Sequence, residues 1–586
     1  MSPSVRNPSG SFDAAPAWRV LAGLVLGLLV ATILTAVIAL AGLGRLSDEV
    51  DWTVVPSWFW YYRADPNVQL WLSIGAGVSG AALSGVALVL VVGRRRPLHG
   101  AARWASAADI RRAGLRAASG ILLGRTGSRP LVFGGSEHVL LHAPTRTGKG
   151  VGVVIPNLLT WPGSCVVLDV KQENWAASAG YRAASGQAVH LFDPLSPTGQ
   201  TARYNPLGHI RRQNPETTLD ELQKIAVMLF PTPARTDPFW TEAARTGFIG
   251  VAALVAETPD LPFTMGEVFR QLTSDNPRER LPDMIRDRET SGVPFSDGCT
   301  SAVHDFTSAA EKTFASIKQT ITSRMALWLN PRVDAATSAS DFDLRALRTD
   351  PMSIYLGVSP ADVGRVAPLY ALLTQQIIDL NTRSLPSPGG EPHQVLLVLD
   401  EFARLGRAEG LAHAFAYVAG YGLRLLAVLQ SPAQLRAIYG PDLAEEIVAN
   451  CAVEVAFAPK DLKVATELSE RLGTYTVASR SRSRPAGLSP GHRSLTFSDQ
   501  KRALMLAQEL MALGPNALLV LKAGVPPLLA SKLRYFEHQD LCLRARPAPD
   551  VPPLAPLAAS ARDGLAAHAV ATCLTNEADQ TPFAAT

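Results

Sequence analysis

One stretch, residues 131–157, constrains the fold of this 586-residue chain more than any other. It reads LVFGGSEHVLLHAPTRTGKGVGVVIPN, in which an apolar strand candidate, His138–His142, leads into the loop 143–150, and a β-branched apolar run follows. A strand, a glycine-containing loop and a helix in this order are typical of a phosphate-binding P-loop. The stretch therefore predicts a nucleotide site.

Phosphate binding at such a loop requires backbone N–H groups that can close on phosphate oxygens, a lysine, and the positive end of a helix dipole. The residues expected to contact the nucleotide are Pro144, Thr145, Arg146, Thr147, Gly148, Lys149, Gly150 and Val151. Two positions depart from the strict G-x-x-x-x-G-K-[ST] pattern. Ala143 replaces the first glycine, and Gly150 replaces the hydroxyl that normally contacts Mg²⁺. An ordinary glycine-rich turn is the alternative interpretation of the loop alone.

A second apolar strand candidate, residues 394–399, ends in two carboxylates, Asp400 and Glu401. At the carboxyl end of a parallel strand beside a P-loop, Asp400 is expected to hold Mg²⁺ and Glu401 to orient the attacking water. Alternatively, the two acids cap the helix that follows. The next strand candidate ends in Gln430, which either senses the γ-phosphate or is a simple polar strand end. Together with Lys149, these positions are typical of a RecA-like motor core that uses ATP and Mg²⁺.

Two long runs without charge lie near the N-terminus, at about residues 20–44 and 68–93. Each exceeds the roughly 20 residues that span a bilayer, and the first is too long for the apolar core of a usual signal peptide. Basic residues follow the second run, whereas the short loop between the runs is richer in acids and aromatic residues. The positive-inside rule therefore predicts a two-span anchor with a periplasmic loop and most of the chain in the cytoplasm.

The order of strand and helix patterns predicts how the chain is divided. The predicted segments are a membrane anchor (1–96), the first part of a nucleotide-binding domain (97–207), an all-α inserted domain (208–345), the second part of the nucleotide-binding domain (346–540) and a disordered tail (541–586). The expected fold class is α/β: a RecA-like P-loop NTPase domain with a mainly helical inserted domain, preceded by two transmembrane helices.

Residues 476–500 are rich in Ser, Arg, Pro and Gly, a composition that predicts a mobile basic loop. Such a loop either contacts DNA phosphates, which require only unspecific positive charge, or is an ordinary solvated surface loop. The formal net charge of the whole chain is +4, a mild surplus that does not by itself identify a nucleic-acid binder.

As an ensemble, several short motifs make the chain resemble the TraG-type coupling proteins (TraG/TraD family ATPases) of type IV secretion and conjugation systems. The motifs are HGAARWA (99–105), APTRTGKGVGVVIPNLL (143–159), VVLDVKQENW (166–175), FDP (192–194), YNPL (204–207), LDEFARLGR (399–407), GYGLRLLAVLQSPAQL (420–435) and KLRYF (532–536). Gly150 resembles the form of the P-loop that this family tolerates.

The resemblance implies a homohexameric ATPase anchored by multiple spans in the lipid of the bacterial inner membrane. Such a protein passes single-stranded DNA with its relaxase, secreted effector proteins, or both to the inner-membrane components of a type IV secretion channel. The inserted domain is expected to meet this cargo. A hexameric motor also needs an arginine finger that reaches a neighbour's γ-phosphate. The candidates are Arg404, Arg407 and Arg424, of which Arg407 and Arg424 are preferred.

Two other functions fit part of the sequence. A nucleotide-binding cargo receptor or scaffold with little hydrolysis is favoured by Gly150. An FtsK-like DNA translocase would share the motor core, but such proteins usually have more spans and a C-terminal winged-helix reader, and neither is visible in the sequence. Turnover that is lost on replacing Glu401 would exclude the receptor.

Overall fold

The computed structural model of the chain describes residues 17–46, 50–92, 98–232, 237–386, 393–483 and 494–554. The chain divides into two units. The first consists of Met1–Arg103 and Glu470–Leu504, and the second consists of Trp104–Ser469 and Met505–Thr586.

The N-terminal part of the first unit contains two long apolar helices joined through a short one: α1 (Ala17–Gly42), α2 (Val55–Tyr61) and α3 (Pro66–Val92). Within α1 and α3, Val25–Gly42 and Pro66–Ala87 are long and apolar enough to cross a membrane. Small residues bring the two helices together. A Cβ on Gly75 would lie 2.8 Å from the carbonyl oxygen of Thr35, and the Thr35 hydroxyl donates a hydrogen bond to Ser79 at 3.2 Å.

The second unit begins with a short helix and a strand hairpin, and the P-loop follows. In chain order its elements are α4 (Ala107–Arg112), β1 (Ile121–Thr126), β2 (Arg129–Phe133), β3 (His138–His142), α5 (Ile155–Leu158), β4 (Cys165–Val170), α6 (Glu173–Ala184) and β5 (Ala188–Phe192). A π-helical turn, Gly150–Val154, precedes α5. The sequence patterns do not predict β1 and β2.

Helices then dominate the part of the chain for which the sequence predicts an all-α inserted domain. They are α7 (Pro215–Leu229), α8 (Pro238–Glu257), α9 (Met265–Thr273), α10 (Pro277–Thr290), α11 (Asp297–Ser308), α12 (Glu311–Arg324) and α13 (Pro331–Ala336). α8 is the most buried helix of this region and packs against α7, α11 and α12. Asn214, Asp237 and Thr264 each accept a hydrogen bond from a first-turn N–H group, so side-chain caps set where α7, α8 and α9 begin.

The sheet resumes after the helical region. The remaining elements are β6 (Met352–Val358), α14 (Val363–Asn381), β7 (Val395–Asp400), α15 (Glu409–Ala414), β8 (Leu423–Leu429), α16 (Pro432–Tyr439), α17 (Pro441–Ala449), β9 (Cys451–Ala456), α18 (Leu462–Leu472), β10 (Thr474–Ser483), β11 (Ser494–Ala503), α19 (Ala507–Met511), β12 (Ala517–Lys522), β13 (Val525–Ser531) and α20 (Gln539–Arg544).

In the described part of the chain, eleven strands form one mixed sheet in the order β2-β1-β13-β12-β9-β3-β8-β7-β4-β6-β5. The strands from β9 to β5 pair in parallel, and β12, β13, β1 and β2 extend the sheet with antiparallel pairs. Every residue of β3, β6 and β8 is buried, as expected for parallel strands covered on both faces. Because β8 lies between β3 and β7, the carboxyl ends of these three strands meet at one edge.

The prediction of a mobile loop at residues 476–500 was wrong for those residues that the structure describes. β10 and β11 pair as an antiparallel hairpin, from Thr474 opposite Ala503 to Ser483 opposite Ser494. The first strand begins with Thr474, Tyr475, Thr476 and Val477, and such residues favour strands, whereas the prediction used the overall composition. Residues 484–493, which join the two strands, lie outside the described residues.

The predicted disorder from residue 541 onward was also wrong for its first part. α20 continues to Arg544, and the Leu554 N–H donates to the Gly199 carbonyl at 2.9 Å. The segment between them crosses α6 at Gly180, where a Cβ would collide with the carbonyl oxygen of Pro547. Glycine therefore makes room for this close approach. Residues 555–586 lie outside the described residues.

Gly250 provides a test of the packing of the helical region. A Cβ at this position of α8 would lie 2.9 Å from the backbone nitrogen of Val303 on α11. We expect Gly250→Val to lower the free energy of unfolding by about 1–3 kcal/mol, because an overpacked core must shift its backbone. Gly364→Val is the matched control, since a Cβ there would meet no atom within 4 Å. Chemical denaturation of the full-length protein in detergent measures both variants, and equal midpoints would contradict the packing.

Candidate nucleotide-binding site

The loop after β3 has the backbone of an anion-binding loop. Arg146 and Gly148 adopt φ values of 61° and 79°, and left-handed residues at alternate positions of a short loop turn successive N–H groups to one side. The Thr147 hydroxyl donates to the Pro144 carbonyl at 2.6 Å, which closes the loop on itself. The local sequence therefore folds as the P-loop pattern predicts.

The structure brings three predicted catalytic side chains together at the carboxyl edge of the sheet. Lys149 Nζ lies 2.7 Å from Asp400 Oδ1 and 3.6 Å from Glu401 Oε1. The exposed fractions of the Lys149, Asp400 and Glu401 side chains are 19%, 14% and 23%. The cluster is therefore largely shielded from solvent, where charges interact more strongly than in bulk water.

The ion pair between Lys149 and Asp400 is close but not aligned as a hydrogen bond. Both Lys149 Nζ and Asp400 Oδ1 are buried atoms without an aligned hydrogen-bond partner. In P-loop NTPases, the equivalent lysine donates to phosphate oxygens and the equivalent aspartate holds Mg²⁺. The unused hydrogen-bonding capacity of these two atoms therefore fits a nucleotide phosphate and a divalent cation.

Glu401 lies in an uncommon backbone conformation where β7 ends. Its φ is 78°, a left-handed value that costs a non-glycine residue free energy and is found most often at functional sites. Its carboxylate accepts a hydrogen bond from Arg404 Nε at 3.2 Å. Glu401 is thus held between Arg404 on one side and Lys149 on the other.

Gln430 and Gly150 lie at the same edge. Gln430 follows β8, and its N–H donates to the side-chain oxygen of Gln434 on α16 at 3.0 Å. Gly150 begins the π-helical turn, and a Cβ there would meet no atom within 4 Å. The space that a serine or threonine hydroxyl would fill in the strict motif is therefore open.

A buried carboxylate on the neighbouring strand β4, Asp169, is connected to Asp400 through Asn174. The sequence analysis gives Asp169 no role. Asp169 on β4 accepts hydrogen bonds from the Trp175 N–H at 2.7 Å and from Asn174 Nδ2 at 3.1 Å. Asn174 Nδ2 also donates to Asp400 Oδ2 at 3.4 Å. Burial raises the pKa of Asp169 to about 7. The motif VVLDVKQENW contains Asp169 and Asn174, but only the sheet order places them beside β7.

Two of the arginine-finger candidates lie on the surface close to this edge. The Arg404 side chain is 58% exposed and pairs with Glu401, whereas the Arg407 side chain is 55% exposed and pairs with Glu409 at 2.7 Å. Both guanidinium groups are therefore accessible from the surface of the protein.

The third candidate, Arg424, lies at the opposite edge of the sheet, because it is near the start of β8. It is 1% exposed, donates to the Phe133 carbonyl at 3.3 Å, and lies 5.6 Å from the ring centre of Trp161. Burial lowers the pKa of its guanidinium to about 10. This placement contradicts the prediction that Arg424 reaches a neighbour's γ-phosphate.

The strand order, the loop after β3 and the paired acids after β7 define a P-loop NTPase with a RecA-like fold. The predicted fold class is therefore confirmed. The solved structure of the bacterial conjugative coupling protein TrwB (TrwBdeltaN70) has this fold, with a TM-score of 0.56 at 18% identity over 75% of this chain and 93% of that chain. The structure of TrwB in complex with ADP and Mg²⁺ gives a TM-score of 0.54 at 18% identity, over 75% and 95% of the two chains.

Sequence comparison identifies the family. The family model for conjugative DNA transfer by the type IV secretory system matches residues 103–551. The chain is 32% identical to protein VirD4 of Agrobacterium fabrum (strain C58 / ATCC 33970), over 82% of this chain and 73% of VirD4. It is 31% identical to the conjugal transfer protein TraG of Escherichia coli, over 87% of this chain and 89% of TraG. The chain belongs to this family of conjugative DNA-transfer proteins, as the resemblance to TraG-type proteins predicts.

The buried position of Arg424 leads to a prediction about its replacement. We expect Arg424→Lys to lower the thermal unfolding temperature, because lysine cannot stack and donate as the planar guanidinium does. The kcat of ATP hydrolysis per folded molecule should stay within about threefold of the wild-type value. Loss of an arginine finger instead lowers kcat by about 10³-fold or more. Hydrolysis assays on the full-length protein, corrected for the folded fraction, measure the difference, and a finger-sized loss would restore the original assignment.

Proposed function

We propose that the chain is a membrane-anchored ATPase that couples a relaxase–DNA complex, or secreted effector proteins, to a type IV secretion channel and drives their transfer by ATP hydrolysis. The observation that carries this proposal is the cluster of Lys149, Asp400 and Glu401 at the carboxyl edge of the sheet. Membership of the conjugative DNA-transfer family supports the coupling role. The apolar helices α1 and α3 support a two-span anchor in the bacterial inner membrane, with the bulk of the chain in the cytoplasm.

Each side chain of the cluster has its own task in the proposed reaction. The N–H groups of residues 145–151 and the Lys149 ammonium bind the phosphates of ATP. Asp400 would hold Mg²⁺, which would supply positive charge against the phosphates of ATP. Glu401 accepts a hydrogen bond from the attacking water and orients it. Gln430 is proposed to sense the γ-phosphate, and its backbone N–H donates to the side chain of Gln434 on α16.

The proposed partners follow from the proposed coupling function. They are single-stranded DNA with its relaxase, secreted effector proteins, inner-membrane components of the channel, membrane lipid, and further copies of the chain in a homohexamer. A hexamer allows an exposed arginine of one subunit, Arg404 or Arg407, to stabilise the γ-phosphate charge in its neighbour. The inserted helices α7 to α13 are proposed to meet the cargo.

A receptor that binds nucleotide but hydrolyses little is the second candidate function, and Gly150 is the observation that favours it. The chain has no hydroxyl at the position that normally contacts Mg²⁺.

Hydrolysis by the full-length protein in liposomes, with and without single-stranded DNA, tests the proposal. We expect DNA-stimulated turnover in the wild-type protein. Lys149→Ala should lose nucleotide binding, because the loop loses its cation, while remaining in the membrane. Glu401→Gln should keep ATP binding but lower kcat by about 10²–10⁴-fold, because the water loses its base. Nucleotide binding without turnover under any of these conditions would favour the receptor, and full turnover in Glu401→Gln would exclude the assigned role.

A second experiment examines the open space at Gly150. We expect Gly150→Thr to fold normally and to lower the Mg²⁺ concentration for half-maximal hydrolysis by about fivefold, because a hydroxyl gains one favourable contact. Gly420→Thr is the control, since a Cβ at Gly420 would also meet no atom within 4 Å. An unchanged Mg²⁺ dependence in Gly150→Thr would show that another group already fills this role.

A further inference from the structure

Two lysines outside the phosphate-binding loop donate hydrogen bonds to its backbone. Lys460 Nζ donates to the Thr145 carbonyl at 3.0 Å, and Lys532 Nζ donates to the Thr147 carbonyl at 2.8 Å. Lys460 follows β9, and Lys532 directly follows β13 and begins the motif KLRYF. The sequence analysis assigns neither lysine to the nucleotide site.

Lys532 is held rigidly in its position. The residue is 4% exposed, and its Nζ also donates to the Pro515 carbonyl at 2.7 Å. The ammonium lies 3.9 Å from the ring centre of Phe457, so an aromatic face attracts the remaining positive charge. The stem packs against the turn after the loop, since a Cβ on Gly152 would lie 3.3 Å from Lys532 Cβ.

Because of the geometry of a peptide unit, these two contacts also fix the directions of N–H groups in the loop. In a planar trans peptide, the carbonyl and the following N–H point in opposite directions. A lysine that fixes the Thr145 carbonyl therefore turns the Arg146 N–H to the other side of the loop, and the contact with the Thr147 carbonyl does the same for the Gly148 N–H. Arg146 and Gly148 are also the two loop residues with positive φ.

We propose that Lys532 is a positioning residue for nucleotide binding, which, together with Lys460, holds alternate carbonyls of the loop away from the phosphate side and so orients its N–H groups before ATP arrives. This inference rests on the proposed ATPase function. A loop ordered in advance spares the nucleotide the free energy of ordering it, and the binding affinity is higher as a result.

The electrostatic environment of Lys532 agrees with this role. Among the described residues, no carboxylate lies within ion-pair distance of Lys532, so backbone carbonyls and Phe457 are its partners. Burial and the nearby charge of Arg534 lower the pKa of Lys532 to about 8. A buried cation is costly unless it is hydrogen-bonded, and a lysine that served only to fill space would be better replaced by an apolar residue.

Lys532→Met, which keeps the length of the stem but removes the donor, tests the proposal in the full-length protein. We expect the dissociation constants of a fluorescent ATP analogue and of ADP, and the KM for ATP, to rise about tenfold, the effect of one lost charge-assisted hydrogen bond. The kcat at saturating ATP should stay within about twofold, because Lys149, Asp400 and Glu401 are unchanged. A merely structural role would lower kcat through loss of folded protein and leave KM unchanged.

Lys463→Met, at an exposed lysine of α18, is the control and should bind nucleotide as the wild-type protein does. Thermal unfolding without nucleotide shows whether Lys532→Met folds. If it does not fold, Lys460→Met keeps the proposal testable, since that lysine is exposed and its loss should weaken ATP binding about two- to threefold. Unchanged dissociation constants in the folded variants would overturn the role of these lysines, whereas failure of the wild-type protein to bind ATP would overturn the proposed function itself.

Discussion

The nucleotide site depends on the pairing of β8 between β3 and β7. His142 pairs with Leu429 on one side of β8, and Asp400 pairs with Val428 on the other. The three strands therefore end at nearly the same level, which lets Lys149 reach Asp400 at 2.7 Å. Two adjacent carboxylates in a shielded position would repel each other, and the lysine compensates both. A one-residue shift of either strand would turn alternate side chains to the other face of the sheet and dissolve the cluster.

Sequence reasoning found the parts of the site that are contiguous in the chain. The P-loop, the strand that ends in Asp400 and Glu401, and the helical region all have local patterns, and the structure contains each of them. Arg424 was misassigned even though its position was available from the sequence, because the second residue of a parallel strand lies at the edge opposite the phosphate-binding loop. Asp169 and Lys532 could not be found in this way. Their roles depend on which strands are neighbours, and Lys532 contacts a carbonyl 385 positions earlier in the chain.

Backbone strain is concentrated at the edge that carries the site. Five non-glycine residues in the described part of the chain have positive φ, and four of them, Arg146, Lys171, Gln172 and Glu401, follow β3, β4 or β7. Each such conformation costs of order 1–3 kcal/mol and persists only where surrounding structure holds it. The buried parallel strands supply that support, because helices cover both faces of the sheet. The rigid sheet thus holds the strained residues at its edge in place.

The strand order also determines when, during synthesis of the chain, the nucleotide site can form. Both edges of β3 are paired only after β8 and β9 have been made, because His142 pairs with Ala456 of β9. At about 5–20 residues per second, the ribosome needs roughly 15–60 s to make the intervening chain. During that interval the apolar helices α1 and α3 have already left the ribosome, whereas the phosphate-binding loop has no finished sheet behind it. The segments that are apolar enough to cross a membrane are therefore made well before the phosphate-binding loop gains the sheet that supports it.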